Sequence, residues 1–219
     1  MKNRFLSLLC ALILLVSVMP SAAAQEGESI QAANTLISLN LVDGGDQVPD
    51  GLDKKPAERA VANKLLLALS GVRDDTRNTI DTLVDKGWVA VTGKQSEAIP
   101  ADEFFRSLLL MLGYSDSSGK AVFSGDAAVY ARHIGLAARD YSGPMTLGDL
   151  YQAVRDALPF HDAVGKPLIQ RLVDQGTCSR QTAEELGFFN KELTVRQAAD
   201  RLMTAVFGLK SYDTDKEYK

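Results

Sequence analysis

One pattern recurs along this chain: an apolar segment that ends at a glycine, then a loop, then another such segment. The clearest copy lies at residues 99–114, with the sequence IPADEFFRSLLLMLGY. Proline and acidic residues are typical of a helix N-terminus, and a glycine such as Gly113 is typical of a C-terminal stop. The stretch therefore predicts a helix from about residue 100 to residue 112.

Weaker copies of the pattern lie on both sides of this stretch. They predict helices at residues 29–39, 56–70, 127–134, 146–158 and 194–207, with shorter helices near residues 80–84, 168–173 and 180–186. The inward faces are predicted from apolar spacing. In the first helix they are Ile30, Ala33, Leu36, Ile37 and Leu41, and in the second Ala60, Val61, Leu65, Leu66 and Leu69.

The copies recur at a nearly constant spacing. Turn residues that close the first helix of each unit, Asn40, Gly87, Gly135 and Gly176, are 47, 48 and 41 residues apart. Starts of the second helices, Pro56, Pro100, Thr146 and Thr194, are 44, 46 and 48 residues apart. A period in this range indicates tandem helical units, and units of this size bury their apolar faces only by stacking on neighbours. We predict an all-α fold of four helix–loop–helix units.

The first residues indicate secretion. Lys2 and Arg4 precede an apolar run at residues 5–19, and small residues follow up to Ala24. This order is typical of a signal peptide, here residues 1–24. The alternative is a retained membrane anchor, although the run is short for a span of roughly 20 residues.

The mature chain is expected to be acidic. Removing residues 1–24 deletes two basic residues and no acid, which leaves 22 basic and 28 acidic residues and a net charge of −6. This charge argues against a nucleic-acid partner, because phosphate binding requires a basic surface. Cys178 is then the only cysteine, so an intramolecular disulfide is excluded.

Several short motifs resemble a known family. They are Ile99-Pro100-Ala101-Asp102-Glu103 with Leu112-Gly113-Tyr114, Met145-Thr146-Leu147-Gly148-Asp149, Leu193-Thr194-Val195-Arg196-Gln197 and Leu52-Asp53-Lys54-Lys55-Pro56-Ala57-Glu58-Arg59-Ala60. Together, at this spacing, they resemble the S-layer homology (SLH) repeat. The resemblance implies units at residues 25–72, 73–114 and 115–160, a degenerate fourth unit at 161–209 and a charged tail at 210–219. It also implies a pseudo-symmetric helical bundle.

In the SLH family, grooves between repeats bind an anionic, pyruvylated cell-wall polysaccharide, and a motif arginine pairs with its carboxylate. A guanidinium suits this role because it offers two parallel donors to a carboxylate. In this chain the arginine position holds Ala101 in the second unit and Leu147 in the third. Counting back from the closing glycines places Arg59 and Arg196 there in the other two units.

Counting from the helix starts instead places Ala57 and Val195 at that position. The resemblance thus implies Arg59 and Arg196 as ligand-binding residues, with this register left open. Acidic motif positions are kept as Glu103 and Asp149, and together with the acidic charge they work against an anionic ligand.

The sequence gives little indication of a metal site or of catalysis. His133, His161 and Cys178 lack metal-ligand spacing, and the acidic residues of the 43–53 loop lack the EF-hand pattern, so we expect no metal and no cofactor. No nucleophile–base motif is present, and we expect no catalytic residues. Trp88, the sole tryptophan, either stacks on a sugar ring or fills the core.

We therefore expect a secreted, non-catalytic protein of the cell envelope or cell surface, outside the membrane once the signal peptide is cleaved. Its expected partners are secondary cell-wall polysaccharide or envelope proteins. The alternative is a secreted helical scaffold for protein–protein interaction that has lost polymer binding.

Overall fold

The structure is a computed structural model that describes residues 22–42, 48, 50–72, 79–89, 93–115, 121, 123 and 125–189. These residues form eight α-helices and one 3-10 helix, with isolated bridges and no β-strand. The α-helices are α1 (Ala22–Ser38), α2 (Arg59–Ser70), α3 (Thr79–Asp85), α4 (Ala101–Met111), α5 (Ala127–His133), α6 (Leu147–Ala157), α7 (Leu168–Asp174) and α8 (Arg180–Glu185), and the 3-10 helix is Leu52–Lys54. The predicted all-α class is confirmed for this part of the chain.

The predicted ends of α4, α5, α6 and α8 are confirmed to within one residue. Asp126 caps α5 by accepting the Ala128 and Val129 N–H groups at 2.8 and 3.1 Å. Thr146 and Asp149 form a reciprocal capping box at the start of α6. The four turn residues used to predict the repeat share one backbone conformation, with φ of 59° at Asn40, 71° at Gly87, 80° at Gly135 and 71° at Gly176. This left-handed conformation is the usual way to end a helix.

Three extended segments lead into α2, α4 and α6, and they are joined in a closed ring. The Ala57 N–H donates to the Met145 carbonyl at 2.9 Å, the Met145 N–H to Ile99 at 2.9 Å, and the Ile99 N–H to Ala57 at 2.8 Å. A second set of backbone bonds accompanies the first. The N–H groups of Arg59, Ala101 and Leu147 donate to the carbonyls of Glu97, Gly143 and Lys55, respectively, at 2.8 to 2.9 Å. Each leading segment thus makes the same backbone bonds to its two neighbours.

Two predicted helix starts are wrong. Helix α1 begins at Ala22, well before Ser29, and α2 begins at Arg59 rather than at Pro56. Pro56 and Ala57 belong to the extended leading segment, where Pro56 bridges to Thr146. Proline fits there because its fixed φ suits extended backbone and its missing N–H removes no bond of the ring.

Two predicted inward positions are also wrong. Ile30 is 38% exposed, and Ala60 lies on the exposed side of α2. Arg59 and Asn63 take buried positions on α2 instead. Asn63 can be buried because its amide donates to the Gln95 side chain at 3.1 Å, so its polar group keeps a partner.

The helices pack in a regular order around the ring. Helix α1 packs on α6, α3 on α2, and α5 on α4. Their common core includes Phe104 and Phe105 of α4, both fully buried, whose rings meet edge to face at 5.4 Å. Gly148 of α6 lies close to Ser29 of α1 and to Asp53, and a Cβ at this residue would require those side chains to move.

The fourth predicted unit is described only as far as residue 189. Its helix α7 lies at the C-terminal end of α2, where Arg171 and Gln175 donate to the Leu69 and Ser70 carbonyls at 3.4 and 3.2 Å. These bonds supply partners for carbonyls that the end of α2 leaves without helical ones. The predicted helix at 194–207, Arg196 and the tail lie outside the described residues, as do residues 1–21 of the predicted signal peptide.

Candidate functional site

Arg59 is the predicted ligand-binding residue that the structure describes. It is the first residue of α2, and its side chain is only 10% exposed. The ring of leading segments holds the start of α2 against α4 and against the loop at residues 93–97. A charged side chain so deeply buried needs close partners of opposite charge.

The main partner is Glu103, on the first turn of α4. The Arg59 Nε lies 2.8 and 3.1 Å from the two carboxylate oxygens of Glu103, and Nη2 lies 3.0 Å from Oε2. This forked contact is the strongest geometry available to an arginine–carboxylate pair. It ties the first residue of α2 to α4 across the boundary between the first two predicted units.

Loop 93–97 encloses the other edge of the guanidinium. Nη1 donates to the Glu97 carboxylate at 3.2 Å and to the Lys94 carbonyl at 3.3 Å. Gly93, with φ of 76°, lies directly against the group, because a Cβ there would come within 2.6 Å of the Arg59 Cζ. The residue at position 93 is therefore restricted both by its backbone conformation and by contact with Arg59.

These contacts keep the Arg59 guanidinium positively charged. The hydrogen bonds that Arg59 donates to Glu103 raise the pKa of the guanidinium further, against the opposing effect of burial. All three groups belong to this chain, because the Arg59 guanidinium is bound by the carboxylates of Glu103 and Glu97. Removal of either carboxylate would leave a buried charge with fewer partners, which is costly in a folded protein.

The hydrogen-bond ring gives a register for comparing the three helices. Ala57, Ile99 and Met145 occupy the same place in it, and so Arg59 aligns with Ala101 and Leu147 as the first helical residue. Of the two open assignments for the first unit, this alignment favours Arg59 over Ala57.

Two residues further along each helix, Glu103 aligns with Asp149. Asp149 also binds an arginine, but this one is Arg139 from the preceding loop, at 3.0 Å. Arg139 stacks on Tyr141, with Cζ 5.1 Å from the ring centroid, and burial raises the pKa of the Tyr141 hydroxyl to about 12. The sequence did not predict a role for Arg139 and Tyr141, because their loop contains no recognisable motif. The sequence signal that could have pointed to this site is the matching position of Glu103 and Asp149 in their motifs.

A cavity of about 480 Å³ in another part of the fold lies between α1 and the C-terminal end of α6, with Gln31, Arg155, Asp156 and Phe188 in its lining. Burial raises the pKa of the Asp156 carboxyl, and Arg155 at 3.8 Å partly opposes this effect. The cavity joins elements of different predicted units, and Arg59 is not among its lining residues.

A second cavity of about 410 Å³ adjoins the Arg59–Glu103 pair. Its lining includes Trp88 and Val89, which follow α3, and Asp102, Glu103, Arg106 and Leu110 of α4. We call it the Trp88 cavity. Trp88 is half-buried, packed against the core and at the same time part of the cavity lining. Packing against the core agrees with one of the two roles considered for Trp88, and stacking on a sugar ring stays a prediction.

The remaining predicted candidates lie apart from these cavities. His133 is exposed at the end of α5, and His161 is exposed in the loop before α7. Cys178 is buried and free, and burial raises the pKa of its thiol. Of the acidic loop at 43–53, the described Asp53 accepts a hydrogen bond from Ser29 at 2.6 Å.

Across the described residues, no group of three or more His, Cys, Asp or Glu side chains is arranged to hold a metal ion. The same residues include no helix with the length and apolar character needed to cross a membrane.

Comparison with protein-family models gave no match, and a search of curated proteins found none either.

Proposed function

We propose that this chain is a secreted, non-catalytic module of SLH-like repeats that associates with the bacterial cell envelope. The observation that supports this proposal is the ring of backbone hydrogen bonds among the segments that lead into α2, α4 and α6. Such a ring joins three helical units with equivalent roles, and this is what a pseudo-threefold SLH-like bundle requires. The motifs at residues 52–60, 99–103 and 145–149, which resemble the SLH repeat, contain these same segments.

Secondary cell-wall polysaccharide is the proposed partner under this function. Grooves between helical units are a suitable place for a long polymer, because successive units can each bind part of it. The chain needs no cofactor for this function. Its acidic balance, −6 after signal cleavage, favours a partner other than nucleic acid.

One observation favours the alternative, a helical scaffold for envelope proteins that has lost polymer binding. The Arg59 guanidinium is held by Glu103 and Glu97 and covered by Gly93. A polymer carboxylate would have to displace these two internal carboxylates before it reached the cation. Under this alternative, Arg59 joins two units and binds no ligand.

Sedimentation with purified cell-wall sacculi tests the proposal. The mature protein, residues 25–219, is mixed with sacculi at low and moderate salt, and the pellet and supernatant are compared. Association with the wall predicts saturable recovery in the pellet. Protein that stays in the supernatant at both salt concentrations contradicts wall association and leaves the scaffold as the better account.

Two variants then test the arginine mechanism. Arg196→Ala alone and Arg59→Ala with Arg196→Ala are compared in the same assay, with helix content checked by circular dichroism. If wall binding persists in the folded double variant, neither arginine is the ligand-pairing residue, although envelope association stands. If binding falls in Arg196→Ala while helix content is unchanged, the family mechanism is supported at that position.

A further inference from the structure

We propose that the Trp88 cavity binds a neutral saccharide. This inference deepens the proposed function, on which it rests, by naming a ligand class that differs from the anionic polymer implied by the family resemblance. The volume of about 410 Å³ lies in the range of small-molecule sites, roughly 300–1,000 Å³. Its lining combines an aromatic side chain with charged ones.

The charged side chains that line the cavity are paired with other charged side chains or with the backbone. Asp102 binds Arg106 at 3.2 Å and accepts the Ala127 N–H at 2.6 Å. Arg106 also donates to the Gly125 carbonyl at 3.1 Å and lies over the Phe123 ring at 5.4 Å. Glu103 is held by Arg59. The lining thus carries two carboxylates and one guanidinium, and Arg59, which binds Glu103 from outside the lining, is shared with Glu97.

These pairings disfavour charged ligands. An anion placed in the cavity would meet the carboxylates of Asp102 and Glu103, and a cation would have to compete with Arg106 for Asp102 and with Arg59 for Glu103. A hydroxyl group meets no such opposition. Carboxylate oxygens have lone pairs for more than one donor, and a guanidinium has five N–H groups, so hydroxyls can add to the existing pairs.

The apolar side chains of the lining provide the second half of a saccharide site. A sugar ring has a face of C–H groups and a rim of hydroxyls. Trp88, Val89 and Leu110 offer an apolar surface to such a face, while Asp102 and Arg106 are each about 40% exposed and reach the rim. Pockets of this kind bind by apolar contact and gain specificity from a few fixed polar groups.

The corresponding groove on α2 lacks these features and serves as an internal control. It lies between Leu41 and Val42, after α1, and Val61, Lys64 and Leu65 of α2, with a volume of about 190 Å³. In the register of the hydrogen-bond ring, Val61 and Lys64 align with Glu103 and Arg106. Its lining also includes Tyr151 but no carboxylate among the described residues, and its volume is less than half that of the Trp88 cavity, so it is not expected to bind a saccharide.

The sole tryptophan of the chain lies in the proposed site, so its fluorescence reports on occupancy directly. Mature protein is titrated with chitotetraose and maltotetraose as neutral probes and with tetragalacturonic acid as the anionic one. We expect a saturable change with at least one neutral probe, and binding weaker by about tenfold or more for the anion, because like charges oppose it. Calorimetry repeats each titration without relying on the tryptophan.

Matched variants locate the binding site. Arg106→Gln is expected to weaken neutral-probe binding about tenfold, since it removes a charged donor and releases Asp102. Lys64→Gln, the same change at the aligned residue of α2, is expected to leave binding unchanged. Trp88→Phe, which keeps an aromatic ring in the core, is expected to weaken binding by calorimetry without loss of helix content.

The proposal is overturned if neither neutral probe binds, if the acidic tetramer binds more tightly, or if Arg106→Gln and Lys64→Gln have equal effects. These results are separable from the sacculus assay. Wall sedimentation that is unaffected by Arg106→Gln leaves the proposed function intact and removes this cavity from it. Saccharide binding without wall sedimentation supports the cavity and contradicts envelope anchoring.

Discussion

Two arginine–carboxylate pairs occupy related places in this fold, and they differ in how completely the arginine is enclosed. In the first, Arg59 is 10% exposed, forms a forked contact with Glu103 and binds Glu97 as well. In the second, Arg139 is 28% exposed and makes one contact with Asp149, whose carboxylate also completes the capping box of α6. The Arg139 Nε is buried and has no hydrogen-bond partner in the described part of the chain.

The difference shows how the same acidic position can serve two purposes. Glu103 holds α4 against α2 through Arg59, the first residue of α2. Asp149 mainly stabilises the start of its own helix and binds an arginine from a loop. The enclosed pair is therefore expected to contribute more to stability, and the open pair less.

The largest expected effect is at Glu103. Glu103→Gln should lower the free energy of unfolding by about 3 kcal/mol, because it leaves the buried Arg59 without its main anionic partner. Asp149→Asn should cost only about 1 kcal/mol, since it weakens a cap and a partly exposed ion pair. Urea denaturation of both variants measures the difference. Equal losses would show that the two pairs contribute alike.

The next effect is a loss of stability at alkaline pH caused by Tyr141. Its folded-state pKa of about 12 lies above the value of about 10 expected in the unfolded chain. The unfolded state therefore loses its proton first as pH rises, and stability falls by about 2–3 kcal/mol between pH 10 and 12. Below that window the contribution is fully present.

Tyr141→Phe should remove this part of the alkaline loss. At neutral pH the variant should be within about 1 kcal/mol of the parent protein, since the buried hydroxyl has no hydrogen-bond partner among the described residues. Thermal unfolding of both proteins across the alkaline range provides the test. If their alkaline curves coincide, Tyr141 is not the group responsible.

A smaller effect compares two loop glycines. Gly93→Ala should cost about 2 kcal/mol, because it combines a positive φ with a Cβ 2.6 Å from the Arg59 Cζ. Gly143→Ala has a similar φ of 65° but nothing within 4 Å of its Cβ, and it should cost only about 1 kcal/mol. The difference between the two measured losses is the contribution of the contact with Arg59.

The smallest effect concerns helix capping. Thr146→Ala should destabilise the protein by about 1 kcal/mol, because it removes the acceptor for the Asp149 N–H. Glu58 has the same position before α2 but makes no side-chain cap bond, so Glu58→Ala should change stability by less than about 0.5 kcal/mol. Comparable losses for both would mean that the α6 cap contributes little.

Much of the local structure followed from residue types. Glycines and capping residues located the ends of α4, α5 and α6, because helix termini are decided by the few residues around them. The inward side of α2 was predicted less well. Arg59 and Asn63 are polar, and whether they are buried depends on partners in a loop more than thirty residues away.

By itself, the sequence determined the all-α class, the glycine-closed helices and the spacing between them, since these depend on local backbone preferences and on apolar periodicity. Only the tertiary structure decided that Pro56 and Ala57 belong to a ring of extended segments and that Arg59 aligns with Ala101 and Leu147 as a first helical residue. The same is true of the enclosure of Arg59 by Glu103, Glu97 and Gly93. The physical reason is that hydrogen bonds between distant segments and the burial of charge depend on which surfaces meet, and this information is spread over the whole chain.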